Sequence, residues 1–147
     1  MRLWHKSLIP YLPRQQLLGQ WRECCLIAKN ITEKGTPNHI LVNRIMDYPI
    51  GYFWDYGYLV CKNIRNRGYK CNFGKFDPWF RFYKPLNLPI DIDNELFLNW
   101  HNDRYLTQCM FNLEEKHDCQ GITDDEWNVL LKGYKEITGK DWENGSK

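Results

Sequence analysis

The stretch Arg14-Gln-Gln-Leu-Leu-Gly-Gln-Trp-Arg-Glu-Cys-Cys25 constrains this chain more than any other. At about 100° per residue, Leu17, Leu18, Trp21, Cys24 and Cys25 share one side, while Gln16, Gly19 and Glu23 lie opposite with Arg22 at the boundary. That pattern suits a helix and not a strand, and its apolar side needs a core to rest on. Glu23 is then expected to face away from the core, free either to pair at the surface or to do chemistry. Gly19 costs about 1 kcal/mol against alanine in a helix, and one turn before Glu23 it leaves room for close approach.

The rest of the chain can supply the core. Its 147 residues suffice for one domain burying about 70% of its unfolded surface, and we read 1–147 as a single unit. A hydrophobic share of 43% with 16% aromatic residues excludes a disordered chain, and no apolar run reaches membrane-spanning length. The start, Met-Arg-Leu-Trp-His-Lys, lacks the apolar stretch of a signal peptide, so a cytoplasmic protein is expected; separately, a monomer is expected. Six cysteines form no C-x-x-C pair, which favours neither a disulfide framework nor zinc, and contiguous His117-Asp118-Cys119 is poorly shaped to converge on one ion. No metal or cofactor is expected.

Turn signals divide the chain into five helices. A first helix is expected over 13–31, ended by Gly35-Thr36-Pro37. Thr36 or Asn38 then caps a short second helix with Ile40, Leu41, Ile45 and Met46 as its apolar residues, stopped at Tyr48-Pro49. A third, central helix spans 50–67, where aromatics fall on several faces and Gly68 ends the run. Gly74, Pro78, Pro85 and Pro89 make 69–90 an ordered aromatic loop that folds back on the core, with a short strand over 80–84. Asp91 or Asp93 caps a fourth helix over 94–116. A fifth starts after Gly121, buries Trp127, Leu130, Leu131 and Tyr134, and ends at Gly139, leaving a fraying tail from Trp142. The fold class is all-α.

Charge is distributed unevenly. Residues 1–90 hold 14 Lys and Arg against five acids, and the remainder six against 13. This split suggests a basic face for a polyanion, with Arg2, Lys6, Arg14 and Arg22 at the front and Lys62, Arg65 and Arg67 on the third helix as phosphate partners. Any one of them alone is equally a solvated surface charge.

Met-Arg-Leu-Trp at the start, a helix carrying Gln15 and Trp21-Arg22-Glu23, and Asn66-Arg67-Gly68-Tyr69 together resemble the pyrimidine-dimer DNA glycosylases of the phage endonuclease V type. The resemblance covers most of the chain and is carried by these motifs. It implies a compact all-α DNA repair enzyme acting on double-stranded, damaged DNA through its N-terminal α-amine, partnered by a helix glutamate. It assigns Met1 and Glu23 as catalytic, and Arg2, Arg14, Gln15, Arg22, His39 and Lys116 as DNA-binding. From the residues alone, His39 fits a capping or core role at least as well, and His101 and Asp103 are similarly open. Gln16 stands in place of a histidine, Leu26 in place of an arginine, and Asn112 in place of a basic residue, which puts lesion specificity in question. The second residue, Arg2, is bulky, so the amine should belong to Met1 itself.

The chemistry has independent physical sense. An ordinary α-amine has a pKa of about 7.7 to 8.0 against about 10.4 for lysine, so more of it is free to attack at neutral pH. Attack at sugar C1′ displaces the base and leaves an imine whose C2′ proton is acidic enough for β-elimination. A nearby carboxylate stabilises the cationic sugar and moves protons. Reaching C1′ calls for an extruded nucleotide and bent DNA. The alternatives are a DNA-binding module of the same fold without activity, and a protein-interaction domain with an incidental basic patch.

Overall fold

A computed structural model of the chain describes residues 1–80 and 95–143. Four α-helices carry them: α1 (Arg14–Lys34), α2 (Ile50–Asn66), α3 (Asp103–Asp118) and α4 (Asp124–Thr138). Short 3-10 helices at Lys6–Tyr11, Asn43–Asp47, Phe73–Lys75 and Asp77–Phe80 fill the connections. The all-α architecture holds, with no strand among the described residues. Phe80 closes a 3-10 turn where a strand was expected to begin, and 81–84 lie outside the described residues.

Helix α1 follows Pro13 and runs one turn beyond the expected end, to Gly35 in the left-handed conformation (φ 75°), whose N–H reaches Ile31 O at 2.9 Å. Its buried stripe is Leu17, Gln20, Cys24, Ile27, Ala28 and Ile31. The stripe is therefore rotated from the expected one: Leu18, Trp21 and Cys25 are half-buried, and a glutamine sits in the core. Glu23 is half-buried rather than turned away, because this rotation brings it to the flank of the buried face.

The second expected helix is only the 3-10 turn Asn43–Asp47. Val42 and Ile45 are buried there, whereas Ile40, Leu41 and Met46 are exposed, so the apolar spacing did not mark an inward face. Helix α2 meets its expected bounds within a residue and buries Phe53, Tyr56, Val60 and Ile64. Gly57 in its middle lets the Phe76 ring pass so closely that an added Cβ would lie 2.4 Å from it. The aromatic loop does fold back, as Phe73 and Phe76 pack beside Trp21, Phe53 and Trp54.

Helix α3 starts nine residues later than expected. Phe97 and Asn99 adopt positive φ (55° and 71°), which ends any continuous helix before them, and Asn102 is the cap, its Oδ1 accepting from Tyr105 N–H at 3.0 Å. Leu96 and Trp100 are core residues all the same. Thr123 and Glu126 form a capping box at the start of α4, and Gly139 closes it. Trp142 does not fray: its indole N–H donates to Glu114 at 3.1 Å and its ring packs edge-on against Phe111 and Tyr134.

The N-terminal segment lies between these helices rather than outside them. Leu3, Trp4, Leu8, Ile9 and Leu12 are buried, and the first 3-10 turn packs against α2 and α4.

Candidate active site

Side chains from three helices and one turn hold the backbone of the first six residues. Gln20 Nε2 donates to Arg2 O at 3.0 Å, and Gln20 Oε1 accepts from Trp4 N–H at 2.7 Å. The Tyr56 hydroxyl donates to Trp4 O at 2.6 Å, and the Tyr105 hydroxyl to Leu3 O at 2.5 Å. The Lys6 N–H donates to His101 Nδ1 at 2.9 Å. Burial pushes the Tyr56 and Tyr105 hydroxyls well above the ordinary tyrosine range, so both remain neutral donors.

Gln20 connects this clamp to Glu23. The nitrogen bound to Arg2 O also lies 3.3 Å from Glu23 Oε2, so one amide spans the backbone beside Met1 and the α1 carboxylate. Gln16, Gln20 and Glu23 form a polar seam at i, i+4 and i+7 along α1. Gln16 Oε1 on that seam is shielded from water and has no hydrogen-bond partner. Met1 packs half-buried against the core. Among the described residues its amine is not in ion-pair contact with Glu23; Lys135 pairs with Asp141 there, and His117 hydrogen-bonds Asp124.

The other candidates divide into two groups. Gln15 and Arg22 are exposed and, with Gly19, share one side of α1, the Arg22 guanidinium folding back to within contact of Gly19. Arg2 is half-buried with its guanidinium over the Trp4 ring. Arg14 is placed elsewhere: nine residues from Glu23 puts it on the opposite flank of α1, where it stacks on Tyr69. His39 organises a turn, its Nδ1 accepting from Leu41 N–H at 3.2 Å. Lys116 is exposed in the last turn of α3, away from these contacts.

Three other basic residues have structural partners. Lys6 is buried and donates to Leu96 O at 2.8 Å, so it is not a surface phosphate contact. Arg65 caps Cys71 O through Nε and Nη2, and Arg67 reaches Pro10 O at 3.0 Å. With Tyr69 under Arg14, the Asn66–Tyr69 motif fastens the N-terminal segment and the start of α1 to the end of α2. His117 pairs with Asp124 at 2.7 Å and stacks on Trp127, and no metal-holding cluster forms among the described residues. No helix there is long and apolar enough to cross a membrane.

Gln20 and the tyrosines were missing from the sequence reading. A polar residue on the inward side of an amphipathic helix was the available signal for Gln20, since a buried amide requires partners for its hydrogen bonds. Tyr56 and Tyr105 carry no comparable mark. His101, left open from sequence, is a buried clamp; its ring stacks on His5 at 5.2 Å and its Nε2 has no partner. Burial above all holds both imidazoles down, His5 to about 4; the His5 ring also acts against protonation of His101, and Lys6 acts in the same direction on both.

No curated protein and no solved structure matches the chain. Residues 1–77, which contain the Gln20–Glu23 seam and the Asn66–Tyr69 fastening, match the family model described as pyrimidine dimer DNA glycosylase, and the chain belongs to that family.

Proposed function

We propose that this family member is a DNA glycosylase with an associated β-lyase step, with the Met1 α-amine as nucleophile and Glu23 as its acid/base partner. The observation that carries this reading is the single Gln20 amide nitrogen within hydrogen-bond distance of both Arg2 O and Glu23 Oε2. It fixes the residue next to Met1 relative to the carboxylate.

In the first step the amine nitrogen forms a bond to C1′ as the C1′–N glycosidic bond breaks, and the base leaves with the bonding pair. Loss of the amine proton and opening of the sugar ring give an imine. Glu23 offsets the positive charge that develops, then accepts the C2′ proton; the freed pair becomes a C2′=C3′ double bond conjugated with the C1′=N imine as the C3′–O bond breaks and the 3′ phosphate departs with that bond's electrons. Water hydrolyses the imine and returns the amine. Gln15 and Arg22 supply an exposed polar side of α1 for the duplex, Arg2 joins them at the reacting end, and Arg14, His39 and Lys116 serve as outlying contacts.

Borohydride trapping on dimer-containing duplex tests this. The expected result is a covalent protein–DNA adduct mapped to Met1, lost on acetylation of the amine while DNA binding persists. A link mapped to a lysine, or trapping that survives a blocked N-terminus, would overturn the assignment.

A further inference from the structure

The turn between α1 and α2 displays aliphatic side chains where nothing in the fold requires them. Ile40 is 83% exposed and Leu41 49%. The turn is nevertheless firmly built. His39 O accepts from Val42 N–H and Asn43 N–H, at 3.0 and 2.9 Å, and His39 N–H donates to Asn43 Oδ1 at 3.1 Å. The His39 ring holds Leu41 N–H, and Thr36 Oγ1 accepts from Asn38 N–H at 3.2 Å. Asn38 is locked at φ 60°, and fully buried Val42 and Ile45 root the turn in the core. The turn thus presents these side chains on a hydrogen-bonded support.

Its position and charge specify the occupant. Leu41 lines a cleft of about 330 Å³ with Arg2, Tyr105, Gln108 and Asn112. The turn thus shares that cleft with Arg2, whose carbonyl shares the Gln20 amide with Glu23. From Thr36 to Met46 there is no acidic residue, and Arg44 is exposed within the turn. An apolar tip flanked by arginines disfavours a cationic surface, and beside the reacting end of a DNA glycosylase family member it suits a stacked polyanion. Proteins that open a duplex commonly insert one aliphatic side chain between base steps, with cationic side chains on the adjoining phosphates.

We propose that the 38–42 turn is a wedge, with Ile40 entering the base stack at the lesion and holding open the duplex that the Met1–Glu23 site must reach. The proposal rests on the functional reading above for the location of the reaction, but it makes its own claim about duplex opening. Ile40 is a positioning residue: it touches bases and does no bond chemistry.

The test uses a duplex with one cyclobutane dimer and 2-aminopurine in the facing strand, beside a single-stranded abasic oligonucleotide that needs no opening. Wild-type protein should raise 2-aminopurine fluorescence on binding. Ile40→Ser should remove most of that rise and slow duplex cleavage by about 10- to 100-fold, the equilibrium equivalent of burying one isoleucine side chain. It should leave single-strand cleavage and the melting temperature unchanged, and Ile40→Leu should restore the duplex signals. A wild-type protein that produces no fluorescence rise, or an Ile40→Ser protein that opens and cleaves the duplex as well as wild type, would overturn the wedge. Fluorescence that depends on Ile40 without cleavage of either substrate would support the wedge and refute the lyase reading.

Discussion

Gln20→Leu removes the amide that joins the N-terminal backbone to Glu23 while keeping a buried side chain of similar volume. Gln20 is 1% exposed, so water cannot replace its hydrogen bonds. The substitution strands the Trp4 N–H and the Arg2 carbonyl, whereas Tyr56 keeps its bond to Trp4 O. At about 1 to 3 kcal/mol for each of the two stranded groups, the cost is roughly 2 to 6 kcal/mol. For a chain of this size that lowers the melting temperature by roughly 4 to 24 °C. Calorimetry measures this directly. Single-turnover cleavage well below the melt should fall about 100-fold, because a displacement of about 1 Å between amine and carboxylate is enough for such a loss. DNA affinity should change little, since Gln20 lies beneath the surface. A variant that melts within about 2 °C of wild type and cleaves normally would refute the role given to this amide.

Glu23→Gln should leave the fold and DNA binding intact and remove most strand cleavage, since an amide neither offsets cationic charge nor accepts the C2′ proton; gel assays at saturating enzyme check it. The His5–His101 stack should make the protein acid-sensitive. His5 is held down from 6.5 to about 4, so its contribution of roughly 3 kcal/mol is complete above pH 6.5 and is lost as pH falls toward 4, with His101 acting in the same direction. Urea midpoints at pH 7 and 4.5 measure the loss, and His101→Asn, which keeps an acceptor for Lys6 N–H, should flatten it. Gly57→Ala should destabilise by about 1 to 3 kcal/mol because the new Cβ meets the fully buried Phe76 ring at 2.4 Å, whereas Gly19→Ala, with only an ordinary 3.8 Å contact, should stabilise by up to about 1 kcal/mol. Chemical denaturation of the two variants distinguishes these signs.

Elements with a strong local cause were legible in the sequence. Helix α2 lies between Pro49 and Gly68, and α4 between a Thr123–Glu126 box and Gly139, so their bounds follow from proline, glycine and capping chemistry. The start of α3 was not legible, because positive φ at buried Phe97 carries no mark in the sequence and Asn99, a residue that tolerates positive φ, is not on its own a helix stop. Apolar spacing misled at Ile40, Leu41 and Met46, which resemble a buried stripe yet face solvent. Charge misled at Lys6, Arg65 and Arg67, whose cationic groups are taken by carbonyls of the chain itself. Glu23 was visible as a residue, but its setting was not, since it depends on a helix rotation that buries Gln20.

The placement of the clamp residues explains why a chemistry assigned to the chain's first residue needs the whole protein. Each backbone residue fixed in one conformation costs about 1 to 2 kcal/mol of entropy, so an N-terminal segment stays ordered only where many contacts offset that cost. Here apolar burial of Leu3 and Trp4 supplies part, and side-chain bonds to residues 2, 3, 4 and 6 supply direction. Gln20 and Tyr56 lie within the family match over 1–77, but Tyr105 and His101 lie beyond it. The segment is held from one side by α1 and α2 and from the other by α3 and the turn before it. Residues outside the family match therefore position the proposed nucleophile as directly as residues within it, and a fragment ending at residue 77 would lose two of these anchors along with α3 and α4.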